Sequence, residues 1–96
     1  MFRILKTKAY SKWLEKLRDE KARARIAWRT ERMRTGNFGD SKSVGGGVFE
    51  LRVDIGQGYR IYFKYSRQDI ILILVGGNKS TQQDDIKAAQ KLAKEM

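Results

Sequence analysis

From Phe49 to Tyr65 the chain alternates strictly between apolar and polar residues. Phe49, Leu51, Val53 and Ile55 interleave with Glu50, Arg52 and Asp54; Tyr59, Ile61, Phe63 and Tyr65 interleave with Arg60, Tyr62 and Lys64. A period of two predicts two half-buried antiparallel strands with odd residues in the core. Parity then restricts the pairing, because cross-strand partners must sum to an even number if both odd sets are to face inward. A three-residue loop, Gly56-Gln57-Gly58, closed by Ile55 opposite Tyr59, meets this condition and puts Gly58 in the left-handed position such loops need. This register sets Asp54 against Arg60, Arg52 against Tyr62 and Glu50 against Lys64. Two of those pairs join opposite charges.

Elsewhere the period changes. Phe2 and Ile4 suggest a short first strand. Tyr10, Trp13, Leu14 and Leu17 fall at i, i+3, i+4 and i+7, one apolar helical face. Ala22, Ile26 and Met33 mark a thin stripe on a second helix from Lys21 to Thr35, and Gly36 suits the left-handed position after it. Gly36 to Gly47 reads as a loop by composition. Ile70 to Val75 is apolar on both faces, which predicts a central strand ended by Gly76, Gly77 and Asn78. Ser80-Thr81-Gln82-Gln83 has the form of a capping box opening a last helix, with Asp84 and Asp85 in its first turn and Ile86, Ala89, Leu92 and Ala93 on its buried face. The order β-α-α-β-β-β-α defines an α+β fold: a small antiparallel-rich sheet packed by an N-terminal helical hairpin and a C-terminal helix, one domain over residues 1–96.

Composition narrows the chemistry. The chain has no Cys and no His. Cysteine-based zinc sites and Ser-His or Cys-His nucleophilic catalysis are therefore excluded. No apolar run approaches the roughly 20 residues of a membrane helix, and no signal-peptide pattern opens the chain. A cytoplasmic protein with no membrane partner is expected. The net charge is +10, concentrated in residues 1–36, where 12 Lys and Arg face 4 Asp and Glu. An excess of this size implies an anionic partner. On the second helix, Arg23, Arg25, Arg29 and Arg32 form a basic face that suits either an RNA backbone or an acidic protein, or is simply solvated.

The even face of the hairpin carries the candidate site. Arg52, Arg60, Tyr62 and Lys64 project from adjacent strands, and Lys79 follows the third. Guanidinium groups grip phosphate oxygens in bidentate fashion and stabilise charge that develops on them. A tyrosine offers a stacking face for a base. RNA carries its own nucleophile in the 2′-hydroxyl, so neither metal nor other cofactor is called for. With no histidine, proton transfer falls to Lys79, Tyr62, a carboxylate or solvent. The plainer reading is that Asp54–Arg60 and Glu50–Lys64 are only cross-strand ion pairs.

Three segments in order, Glu50-Leu51-Arg52, Gly58-Tyr59-Arg60-Ile61-Tyr62-Phe63 and Gly76-Gly77-Asn78-Lys79-Ser80-Thr81-Gln82, resemble the RelE/ParE superfamily of bacterial toxins. The likeness is to its HigB-like, phage-derived Gp49-like branch and covers nearly the whole chain. It implies a type II toxin restrained by a cognate antitoxin, often a helix-turn-helix protein, that covers the sheet face or displaces the last helix. The expected activity is ribosome-dependent mRNA cleavage that inhibits translation. By resemblance, Arg60 contacts the scissile phosphate, Lys79 assists the leaving group, and Arg52 is partly structural. Two features depart from the pattern: Gly56-Gln57-Gly58 replaces Gly-Pro-Gly, and the C-terminus KLAKEM lacks the histidine or tyrosine of many ribonuclease relatives. The alternatives are a ParE-type gyrase inhibitor and a non-catalytic double-stranded RNA-binding domain. The acidic STQQDD turn argues against the last of these.

Overall fold

The computed structural model describes residues 1–96. The elements are β1 (Arg3–Lys6), α1 (Lys8–Lys16), α2 (Glu20–Arg32), β2 (Ser41–Gly45), β3 (Val48–Val53), β4 (Tyr59–Arg67), β5 (Ile70–Asn78) and α3 (Gln82–Glu95). Short 3-10 turns at Met33–Thr35 and Lys79–Thr81 follow α2 and precede α3. The five strands form one mixed sheet in the order β1-β5-β4-β3-β2, with β1 parallel to β5 and the other pairs antiparallel. This is the expected α+β fold with one strand added. Part of the segment read as a loop, Ser41–Gly45, pairs with β3 as an edge strand. It has no apolar alternation to announce it; backbone bonding to the otherwise open edge of β3 is what orders it.

The sheet has a core on each face. On the odd face Leu51, Val53, Tyr59, Ile61, Phe63, Ile71 and Ile73 pack with Tyr10 of α1 and with Ala22, Ile26 and Met33 of the α2 segment. On the even face Val48, Tyr62, Leu72 and Leu74 pack with Ala89 of α3. This explains why β5 is apolar throughout: both of its faces are covered. It lies beside the middle strand, which is β4. Thr7 joins α1 to the sheet, accepting a hydrogen bond from Tyr10 N–H at 3.1 Å and donating to the Leu74 carbonyl at 2.5 Å. After α2, Gly36 takes the expected left-handed conformation, φ 86°.

The hairpin keeps its predicted parity but slips by one pleat. Val53 opposes Tyr59, Arg52 opposes Arg60, Leu51 opposes Ile61 and Glu50 opposes Tyr62. The predicted pairs Asp54–Arg60, Arg52–Tyr62 and Glu50–Lys64 do not form. Residues 54–58 make a five-residue turn in which both Gly56 (φ 57°) and Gly58 (φ 85°) are left-handed. A three-residue loop supplies only one such position. Parity alone allows either register, since each keeps the odd residues in the core.

Gly76 and Gly77 do not end β5, which continues through Asn78. They are there for close approach. A Cβ on Gly76 would run into the ring of Trp13 on α1, and one on Gly77 would meet the Asp85 carboxylate and Thr81 at the start of α3. Gly76→Ala is therefore expected to lower stability by about 1–3 kcal/mol, the usual cost of overpacking, and to shift Trp13 fluorescence. An unchanged urea midpoint would contradict this. The cap also differs from prediction. Asn78, not Ser80, makes the capping box: its Oδ1 accepts from the N–H groups of Ser80 and Thr81, and Thr81 Oγ1 accepts from Asn78 N–H. The box opens the 3-10 turn rather than α3.

Tyr10 is fully buried, and its hydroxyl has no hydrogen-bond partner. Burial pushes its pKa up to about 12, with the nearby Thr30 hydroxyl acting in the opposite direction; Thr30 itself donates to the Ala27 carbonyl. The folded chain thus holds this proton more tightly than the unfolded chain, whose tyrosines titrate near pH 10. The resulting stability is complete below pH 10 and is lost between pH 10 and about 12, a change of roughly 2–3 kcal/mol. Buried Tyr62, whose pKa is also raised, adds to the alkaline loss, so Tyr10→Phe should reduce the slope without abolishing it in urea melts taken across the window. A wild-type slope in the variant would exclude Tyr10 as a source of it.

Candidate phosphate-binding cleft

The one-pleat slip creates the site. It places Arg52 and Arg60 directly opposite each other on the even face, an arrangement of like charges that costs stability. Each arginine is balanced by a different carboxylate. Arg52 Nε donates to Asp40 Oδ2 at 2.9 Å, just ahead of β2. That hydrogen bond and the Asp40 charge raise the Arg52 pKa, so it is a permanent cation. Arg60 Nε lies 3.8 Å from Glu50 Oε2, a charge contact too long for a hydrogen bond.

Glu50 is fully buried beneath α3, a position the sequence assigned to an open polar face. Its Oε2 accepts from the Tyr62 hydroxyl at 3.0 Å and from the Gln82 side-chain amide at 2.9 Å. The carboxylate is thus tied to β4 and to the first turn of α3. Glu50 Oε1 and Arg60 Nε have no hydrogen-bond partner. The Arg60 side chain is only 10% exposed, and its guanidinium borders a cleft of about 390 Å³. The other lining residues include Arg52, Lys79, Asp40, Asp54, Gln57 and Tyr59. An arginine held by charge but left without a hydrogen-bonding acceptor can still offer its donors to an anion.

Of the predicted site residues, Arg52, Arg60 and Lys79 come together here. Tyr62 does not serve as proposed. It is buried, so no base can stack on it with α3 in place. Burial, followed by its hydrogen bond to Glu50 and that charge, raises its pKa, so it stays protonated at neutral pH and is no general base. Lys64 lies outside the cleft lining, with Nζ donating to the Ala93 carbonyl of α3 at 3.3 Å. The four α2 arginines belong to the other face of the sheet. Arg23 is bonded to the Leu17 carbonyl at 2.7 Å, Arg29 is half-buried against Gly39, and Arg32 lies 4.7 Å over the exposed Trp28 ring. Arg25 is exposed. Asp40 and Gln82 were missed, and nothing local in the sequence marks either one as a partner of a residue so distant along the chain.

The mixed sheet, the two helices on one face and the third on the other define a RelE-type fold. The chain superimposes on an arginine-to-alanine double variant of the Escherichia coli toxin RelE in the free state. The match has a TM-score of 0.73 over 94% of this chain and 96% of that one, at 12% identity. The chain belongs to the family described as phage derived protein Gp49-like (DUF891), which matches residues 12–96. It is also similar to an uncharacterized protein of Haemophilus influenzae, at 50% identity over 93 residues, 97% of this chain and 94% of that protein. The branch and superfamily fold implied by the three motifs are those found. No helix is long and apolar enough to cross a membrane.

Proposed function

We propose that this chain is the toxin of a type II toxin–antitoxin pair and cleaves mRNA on the ribosome as a metal-independent endoribonuclease in the cytoplasm. The observation that carries the reading is the pair of opposed arginines, Arg52 and Arg60, sharing one cleft with Lys79. A purely structural sheet gains nothing from setting two guanidinium groups against each other, whereas a phosphodiester turns that repulsion into attraction. The RelE-type fold and the net charge of +10 support the same assignment.

In this mechanism the RNA 2′-hydroxyl attacks the adjacent phosphorus. The P–O bond to the 5′-oxygen of the next nucleotide breaks, leaving a 2′,3′-cyclic phosphate and a 5′-hydroxyl. Arg60 and Arg52 stabilise the charge that builds on the phosphoryl oxygens. Lys79 gives a proton to the departing 5′-oxygen. Asp54, a cleft carboxylate outside the ion pairs, is the acceptor available for the 2′-hydroxyl proton. The partners are the ribosome, mRNA and an antitoxin, expected to be an acidic helix-turn-helix protein, that covers the cleft.

Pulse expression followed by mapping of mRNA 5′ ends tests the assignment. Cuts within translated codons are expected, and Lys79→Ala should reduce them by roughly 10²-fold, the usual scale of a lost acid–base group. Growth arrest with intact mRNA and an induced DNA-damage response would overturn the ribonuclease in favour of a gyrase target.

A further inference from the structure

A second cavity, of about 540 Å³, adjoins the phosphate cleft. It lies between the α1–α2 connection, the hairpin turn and the end of β5. Gln57 and Tyr59 line both spaces, so the two meet at the hairpin turn, the cavity on the helical-hairpin side of the sheet and the cleft on the other. The volume is within the range of roughly 300–1,000 Å³ usual for small-molecule sites.

The lining has the chemistry of a nucleotide site. Half-buried Trp13 presents aromatic surface and is backed by the nearly buried Tyr59 ring, their centroids 6.2 Å apart at 65°. Trp13 is fixed against Gly76, where no side chain intervenes. Two amides supply complementary hydrogen-bonding groups. Asn78, in the lining, has its Oδ1 committed to the N–H groups of Ser80 and Thr81, which leaves its amide N–H groups as the donors it can offer a ligand. The Gln57 amide N–H donates to the Tyr59 hydroxyl at 3.3 Å, which leaves its carbonyl oxygen as an acceptor. A donor with an acceptor is what a base edge requires. Lys16 and Arg18 add cations at the rim. The carboxylate of Asp19, also in the lining, is engaged in capping α2 through Ala22 N–H at 3.1 Å.

We propose that this cavity is a base-binding subsite. It takes the nucleobase that flanks the phosphate held by Arg60 and Lys79, with Lys16 and Arg18 on the next phosphate along the strand. The inference rests on the cleft being a phosphodiester site and adds where sequence preference arises: at Gln57 and Asn78, against Trp13.

The test is an NMR titration of isotopically labelled full-length protein at low salt. The ligand is an RNA trinucleotide whose central 2′-hydroxyl is methylated to prevent cleavage. Shifts are expected at the Trp13 indole N–H and at the Gln57 and Asn78 side-chain amides, together with Arg60 Nε–H. Replacing one terminal base by an abasic residue should abolish the Trp13 shift, keep the Arg60 shift and weaken binding roughly tenfold, as expected for one lost stacking contact. Lys16→Glu combined with Arg18→Glu, both exposed, should weaken the intact trinucleotide by a similar factor. Shifts confined to Arg52, Arg60 and Lys79 would overturn the subsite and leave the phosphate cleft standing. Shifts at Trp13 with none at Arg60 would instead count against the phosphate cleft and leave a free-standing nucleotide site. No shift at either place would overturn both.

Discussion

Arg60→Ala is expected to abolish growth arrest and to reduce mRNA cleavage by at least about 10²-fold, the usual loss when a donor to a developing oxyanion is removed. Arg60→Lys should restore little, because an ammonium cannot present the planar pair of donors that grips a phosphate. The variant also leaves the Glu50 carboxyl fully buried with no cation beside it, so a folding defect would imitate a catalytic one. The double variant Glu50→Leu with Arg60→Met separates the two, since a buried ion pair can be exchanged for apolar residues at little cost to stability. It should fold, melt cooperatively and remain inactive. Growth arrest by a folded protein lacking Arg60 would end its assignment to the phosphate.

Glu50→Ala should be the most destabilising single change in the site. It removes the acceptor of the Tyr62 hydroxyl and the Gln82 amide and strands Arg60 at 10% exposure. Breaking one side of a buried pair costs about 3–5 kcal/mol, a large share of the 5–15 kcal/mol that holds a typical domain together. Glu50→Gln should cost less, since its amide oxygen still accepts hydrogen bonds, yet it too should lower cleavage, because Arg60 loses the charge that orients it. Urea melts combined with cleavage assays measure both effects. Equal stability of Glu50→Ala and the wild type would show that the carboxylate is solvated rather than enclosed.

Much of the fold was legible along the chain. Alternation assigned the odd residues of β3 and β4 to the core. The 3.6-residue stripes gave both N-terminal helices and the C-terminal one, and the two-sided apolar run of β5 required cover on both faces. Strand β2 was illegible because it is held by backbone pairing rather than by its side chains. The glycines of Gly76-Gly77-Asn78 were visible but misread, since a close approach by Trp13 and Asp85 is a tertiary event that leaves no local sign.

The sequence by itself determined which residue types were available: a basic chain with no histidine or cysteine, arginines at even hairpin positions, and a lysine after the last strand. It also determined the parity of the hairpin, because parity follows from which residues are apolar. Only the tertiary structure decided the register, since two registers satisfy parity equally and differ by one pleat. That choice faced Arg52 with Arg60 instead of pairing each with a neutral or acidic residue. The tertiary structure also decided which even residues meet solvent. By laying α3 across part of that face it buried Glu50 and Tyr62 as supports and left Arg52, Arg60 and Lys79 around the cleft. Alternation records the side of the sheet on which a residue lies, whereas burial depends on what the rest of the chain places over that side.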